Sequence, residues 1–217
     1  MRQKLADFFK EIPWIFIIVV LLLRVGVVEA NFIPTGSMQP TLPIGDWLVI
    51  DRAAYGLSLP FKKDSLVQWH APERGDIITF DPAHTKDRLI KRVIGVPGDV
   101  VATHDGFLYL NGKRIGHQEP NGLILEKLNN KEYLTTPAWP RDFGPVTVPE
   151  EHLFVMGDNR ANSADSRFWG FLPYERVRGK AMFRLFSLAW FERTGLPAKF
   201  GSLYDNPAAP EAQVEIQ

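Results

Sequence analysis

The chain has 217 residues, 45% of them hydrophobic, which is enough to fill one good-sized core with at most a small subdomain beside it. Its 25 Lys and Arg balance its 25 Asp and Glu, so nothing points to a polyanion, and no nucleic-acid partner is expected. The absence of cysteine excludes disulfides, thiolate metal sites and a cysteine nucleophile, and leaves the compartment open.

From the N-terminus, 12–28 is apolar apart from Arg24, and Arg2, Lys4 and Lys10 precede it. As a helix it spans roughly 25 Å, workable in a hydrocarbon core of about 30 Å if flanking residues snorkel. After Arg24 the next basic residue is Arg52, so the basic start places 1–11 in the cytoplasm and the rest outside. A cleaved signal peptide competes, with Val28-Glu29-Ala30 as a small-residue site before Asn31, but Arg24 counts against it. A soluble helix apolar on all faces would need a large core around it. The expectation is a retained single-pass anchor over 12–28 and an extracytoplasmic domain over 29–204.

The 17 Pro and 17 Gly, with many Val, Ile and aromatic residues, favour a turn-rich β fold. Trp47-Leu48-Val49-Ile50-Asp51 and Asp76-Ile77-Ile78-Thr79-Phe80 predict short buried strands, with an irregular surface loop over 51–71 that carries Tyr55, Phe61 and Trp69. Leu89 to Gly95 predicts another strand. Asp105-Gly106 and Asn111-Gly112, set among alternating apolar residues, predict tight hairpins. The pattern weakens over 116–151, so about 103–151 is expected to be a loop-rich insertion or small subdomain. Strands return at His152-Leu153-Phe154-Val155-Met156 and at 179–186, and the Pro/Ala/Glu/Gln-rich tail 205–217 is expected to be disordered. There are no internal repeats. The fold class expected is mainly β, an antiparallel β catalytic domain on one N-terminal transmembrane helix.

Three segments carry chemistry. In Ile33-Pro34-Thr35-Gly36-Ser37-Met38-Gln39-Pro40-Thr41-Leu42, two prolines stiffen the backbone around Ser37, and Gly36 allows a conformation that exposes the hydroxyl and its amide together. The same residues also make an ordinary turn. In Asp87-Arg88-Leu89-Ile90-Lys91-Arg92-Val93-Ile94-Gly95, alternation puts Leu89, Lys91 and Val93 on one face and Arg88, Ile90, Arg92 and Ile94 on the other. A lysine flanked by apolar groups loses hydration, and desolvation lowers an amine's pKa until it can serve as a base. Lys91 snorkelling to solvent is the plain alternative.

The third segment, Gly157-Asp158-Asn159-Arg160-Ala161-Asn162-Ser163-Ala164-Asp165-Ser166-Arg167, is too polar for core and dense in hydrogen-bonding groups. Asp165 and Arg167 can pair across one face, and Ser163 can bond a neighbouring amine. A calcium loop fails, because Arg160 stands where a third-position ligand belongs and Ser163 where glycine does.

Taken in order, the apolar segment, 33–42, Arg74-Gly75-Asp76-Ile77, 88–99 and 157–167 closely resemble the bacterial type I signal peptidases. The resemblance implies a β catalytic domain outside the plasma membrane, with Ser37 as nucleophile and Lys91 as general base. It implies that Thr35 joins the Ser37 amide in an oxyanion hole, that Ser163 orients the lysine, and that Asp158, Asp165 and Arg167 are structural support. Ile33, Met38, Leu42, Leu89, Ile90 and Ala164 fall where the family lines its substrate pockets. The implied partners are signal peptides of secreted preproteins, with small residues at −1 and −3, and the lipid bilayer. No cofactor or metal is implied. Two departures stand out: one N-terminal hydrophobic segment where some members have two, and a short interval between Gly98 and Gly157.

Other classes fit less well. A Ser-His-Asp hydrolase would draw its base from His70, His84, His104, His117 or His152, all in loops or turn-rich sequence, and Ser37 lacks the Gly-x-Ser-x-Gly elbow. A Ser/Lys self-cleaving repressor would need a DNA-binding helical module. A non-catalytic membrane-tethered scaffold has no need of Ser37, Lys91, Thr35 and Ser163 together.

Overall fold

Short, β-branched and aromatic runs separated by Gly and Pro turns become strands here because each can bury one face against a neighbour. The computed structural model describes residues 14, 28–58, 65–83, 85, 87–187 and 201–202. The expected anchor lies outside these apart from Trp14 and Val28, and the tail 205–217 lies wholly outside. Among the described residues no helix is long and apolar enough to cross a membrane.

In chain order, the first strands are β1 (Val28–Phe32), β2 (Asp46–Asp51), the short pair β3 (Gly56–Ser58) and β4 (Ser65–Gln68), β5 (Ile77–Phe80) and β6 (Leu89–Gly95). A second group comprises β7 (Val100–His104), β8 (Phe107–Leu110), β9 (Lys113–Ile115), β10 (His117–Gln118), β11 (Ile124–Leu128), β12 (Lys131–Thr135) and β13 (Phe143–Thr147). The chain then returns through β14 (His152–Met156), a one-turn helix α1 (Ser166–Trp169), β15 (Leu172–Pro173), the long β16 (Val177–Ser187) and β17 (Gly201–Ser202).

The described strands of the main sheet run β1-β2-β16-β5-β6-β14-β15, with β17 paired to β16. The pairings are antiparallel, and β16, bulged at several places, joins β2 to β5. A smaller sheet, β13-β7-β8-β9, and a three-stranded one, β10-β11-β12, complete the body. The mainly β, antiparallel expectation holds.

Both expected hairpins form. Asp105 and Gly106 (φ 55° and 84°) join β7 to β8, and Asn111 and Gly112 (φ 52° and 76°) join β8 to β9. Paired positive φ angles match the strand twist, and Asn, Asp and Gly tolerate them best.

Several expectations need correction. Val28, placed at the end of the anchor, instead opens β1, whose pairing with β2 runs from Val28↔Asp51 to Phe32↔Trp47. The stretch 116–151 is not loop-rich: β10 to β13 lie within it. Its periodicity is hidden because β11 buries Ile124, Glu126 and Leu128 on one face, so a charged residue sits at an inward position. Nor does it have a core of its own, for Leu128 and Tyr133 share a buried cluster with Ile94, Phe154 and Met156 of the main sheet. The region 51–71 holds the β3–β4 pair, and Tyr55, expected at the surface, is 9% exposed with its hydroxyl donating to Asp76 Oδ2 (2.7 Å).

Candidate active site

β6 carries Lys91 into the interior at the point where the 33–42 loop crosses its end. Leu89 and Val93 pack into the cluster of Ile78, Phe80 and Val155, which pulls that face of the strand inward. Lys91 goes with them and is 3% exposed. Its Nζ donates to Ser37 Oγ (2.8 Å) and to the Ile90 carbonyl (3.0 Å). Burial lowers the Lys91 pKa from 10.5 to about 8, against the opposing pull of Asp165 and Asp158. A substantial neutral fraction therefore exists at mildly alkaline pH.

Ser37 sits in a single 3₁₀ turn, Gly36–Met38. Thr35 precedes this turn in extended conformation, exposed, with no capping bond from its hydroxyl. Gly36 does not adopt a positive φ, contrary to the flexibility expected of it. A Cβ there would come 3.0 Å from Gln39 Oε1, the end of an exposed, flexible side chain that can swing aside. Below the turn, Ile33, Met38 and Leu42 join Leu48, Ile50, Ile77 and Ala181 in a closed cluster.

Placement of the expected pocket residues is thus divided. Met38 and Leu42 are 0% exposed and Ile33 3%, so in this structure they are core beneath Ser37 and not an open lining. The apolar side chains adjoin the turn because the turn itself needs an anchor in the core. Leu89 and Ile90 keep some surface, and Ala164 is exposed.

The 157–167 loop packs behind Ser37 and Lys91 and is held by buried ion pairs. Arg167 donates to Asp165 through Nε (2.8 Å) and Nη2 (2.7 Å), with both side chains 0% exposed. Asp165 also accepts from the Gly157 N–H (3.0 Å), which locks the start of the loop to its end. Asp158 accepts a two-pronged bond from Arg92, Nε–Oδ1 2.8 Å and Nη2–Oδ2 2.7 Å, and a further bond from the Thr41 hydroxyl. Gly157 faces the Ser37 turn so closely that a Cβ would collide with the Ser37 carbonyl oxygen and with Ser163 Oγ. Ser163 is buried, but its hydroxyl has no hydrogen-bond partner among the described residues, and the second contact of the lysine amine is the Ile90 carbonyl.

Sequence reasoning assigned no role to Arg92, Asn159, Glu126 or Arg160. Strand alternation sets Arg92 on the face opposite Lys91, and there it is fully buried with its guanidinium 3.8 Å over the Tyr133 ring. Arg160 and Glu126 form another buried two-pronged pair (2.7 and 2.5 Å), tying the loop to β11. The partners are distant in sequence, so only a buried charge at an inward strand position, as at Glu126, could have signalled them. Among the described residues no histidine is hydrogen-bonded to Ser37: the His70 backbone N–H donates to the Tyr55 carbonyl, His104 pairs with Asp142, His117 with Glu119, and His152 Nδ1 contacts the Glu150 carbonyl.

A serine hydroxyl beside a buried, pKa-lowered amine on an antiparallel β scaffold has the parts of a serine hydrolase whose base is a lysine. The chain belongs to the signal peptidase, peptidase S26 family, whose profile matches residues 5–186. It is 39% identical to a signal peptidase I of Pseudomonas fluorescens over 196 residues, covering 78% of this chain and 68% of that one. Against the signal peptidase I of Pseudomonas aeruginosa the identity is 38% over 194 residues, again 78% and 68%. A crystal structure of a signal peptidase I from Enterococcus faecalis is 34% identical, covers 51% of this chain and 97% of that one, and superposes with a TM-score of 0.37.

Proposed function

We propose that this chain is a membrane-bound serine endopeptidase that removes N-terminal signal peptides from exported preproteins, with Ser37 as nucleophile and Lys91 as general base. The family relationship supports the activity, and one observation carries the assignment of roles: Lys91 Nζ, 3% exposed as a residue, lies 2.8 Å from Ser37 Oγ.

In the neutral amine the contact between the two residues reverses, so the Ser37 hydroxyl donates to Nζ. As Oγ attacks the scissile carbonyl, its proton passes to Lys91, which then delivers it to the leaving amine; water repeats the cycle on the acyl-enzyme. The Thr35 hydroxyl, exposed beside Ser37 and not used in a cap, stabilises the oxyanion with the Ser37 amide. Ser163 orients the lysine, a role suited to a buried hydroxyl with an unmet hydrogen-bonding capacity. The Asp165–Arg167 and Arg92–Asp158 pairs hold the loop against the catalytic turn.

Ile90 and Leu89, with Ala164, form the surface that a substrate's small −1 and −3 side chains meet, backed by the closed Ile33, Met38 and Leu42 cluster. Val28, Phe32, Trp47 and Phe183, each at least 36% exposed, lie on the paired strands β1, β2 and β16. That apolar outer face begins at Val28, the last residue of the 12–28 segment, and supports contact with the bilayer, with the N-terminus cytoplasmic and the body outside the plasma membrane.

The test is cleavage of a peptide whose leader ends in Ala-x-Ala by the full chain in detergent, beside Ser37→Ala and Lys91→Ala. A single cut after the leader, lost in both variants, is the expected result. Retained cutting in Ser37→Ala would overturn the assignment.

A further inference from the structure

Asn159 makes no hydrogen bond to Lys91 or to the Ser37 hydroxyl, yet it grips the backbone on both sides of the Ser37 α-carbon. Its side-chain Nδ2 donates to the Gly36 carbonyl (3.0 Å), and its backbone N–H donates to the Ser37 carbonyl (3.1 Å). The first of these matters most. The Gly36–Ser37 peptide is trans, and in a planar trans peptide the C=O and N–H point in opposite directions. The Gly36 carbonyl also accepts from the Gln39 N–H of its own turn (3.1 Å), so the two donors together fix this peptide plane and aim the Ser37 N–H away from Asn159, the side that the proposed function gives to the substrate. The bond also polarises that peptide and strengthens its N–H as a donor.

The grip is itself held. Asn159 Oδ1 accepts from the Thr136 hydroxyl (3.5 Å), and that hydroxyl accepts from the Ala161 N–H (3.2 Å). Thr136 follows β12 directly, and its own N–H donates to the Asp158 carbonyl (3.0 Å). With the side-chain oxygen tied to a donor, the amide NH₂ is left to face Gly36. The strands over 116–151 thus reach the nucleophile through a chain of hydrogen bonds, Thr136 to Asn159 to Gly36.

We propose that Asn159 is a positioning residue for the oxyanion hole: its side-chain amide, oriented by Thr136, joins the Gln39 N–H in holding the Gly36 carbonyl and so steadies the direction of the Ser37 N–H in the same peptide plane. The inference rests on the reading of Ser37 as the nucleophile whose own amide meets the developing charge. It separates Asn159 from the base: losing it should weaken transition-state stabilisation and leave the titration of Lys91 where it was.

The experiment uses the full chain in detergent with the leader peptide, comparing wild type, Asn159→Ala and Thr136→Val. A peptide aldehyde serves as a second probe, because its hemiacetal oxygen occupies the oxyanion position. In Asn159→Ala, kcat should fall about 10- to 100-fold with KM within about twofold, the size expected for a weakened single donor. The pH limb of kcat/KM should stay in place, and aldehyde affinity should fall in parallel with kcat/KM. If Asn159→Ala fails to fold, Thr136→Val decides: a lower kcat at unchanged KM supports the proposal, and an unchanged kcat overturns it. A folded Asn159→Ala with wild-type kcat, or one that loses activity through KM or a shifted pH limb, overturns it too. A wild-type chain that cuts no leader peptide removes the functional reading and this inference together, whereas an active wild type with an equally active Asn159→Ala removes this inference alone.

Discussion

Lys91 Nζ and Ser37 Oγ lie 2.8 Å apart although 54 residues separate them, and the amine reaches the serine from a strand whose neighbouring side chains are apolar. If Lys91 is the general base, that geometry makes its protonation state the main control on activity. Since burial brings its pKa to about 8, kcat/KM should rise along a limb centred near that pH and level off well below the 10.5 of an ordinary lysine. Lys91→Arg should be as inactive as Lys91→Ala, because a guanidinium stays charged. Substantial activity in the arginine variant, measured across the same pH range, would take Lys91 out of the base role.

The same burial affects stability. A folded-state pKa below the unfolded one means that the folded chain binds fewer protons than the unfolded chain between about pH 8 and 10.5, so stability rises with pH through that window. Below it, the buried ammonium costs at most roughly 3 kcal/mol, from 1.36 kcal/mol for each pKa unit. Lys91→Met keeps the shape without the charge, and it should be more stable than wild type at pH 6 by about 1–3 kcal/mol. The gap should close towards pH 10.5. Chemical denaturation at a series of pH values reads it directly; a gap that widens with pH would contradict the sign.

Thr35→Val removes a hydroxyl that takes no part in capping the turn, so the fold should be little affected. If that hydroxyl meets the oxyanion, kcat should drop about 10²- to 10³-fold with KM nearly unchanged, and Thr35→Ser should keep most of the activity. Near-normal turnover in the valine variant would leave the hole to backbone amides alone.

Gly157→Ala tests the packing of the loop on the Ser37 turn. The added methyl would collide with the Ser37 carbonyl oxygen and with Ser163 Oγ, and the carbonyl, being backbone, gives way only if the catalytic turn moves. A displacement of about 1 Å there should lower kcat/KM by on the order of 100-fold. A variant with unchanged kinetics would mean that the loop, and not the turn, absorbs the strain.

Much of the scaffold was legible because local patterns and tertiary needs agree. The strands at 47–51, 77–80 and 152–156 are short apolar runs with clean turn signals, and the Asp-Gly and Asn-Gly turns supply the positive φ that tight hairpins need. The 116–151 stretch hides its strands because β11 turns Glu126 inward, where the distant Arg160, with the Thr135 hydroxyl, makes burial tolerable. Met38 and Leu42 were read as pocket lining, and burial made them core, since hydrophobicity alone does not say which side of a turn remains open.

By itself, the sequence determined the kinds of group available: a serine stiffened by prolines, a lysine among apolar neighbours, a polar loop with acids and arginines in pairing distance, and no cysteine. Local spacing was enough for these, because strand alternation and turn chemistry act over a few residues. The tertiary structure decided which charges meet. Arg92 with Asp158, Arg160 with Glu126, and Asn159 with the Gly36 carbonyl are contacts between segments brought together only when the sheets close. Their physical basis is desolvation: once buried, each ionic or polar group must find a partner wherever the fold supplies one, and no local pattern records where that is.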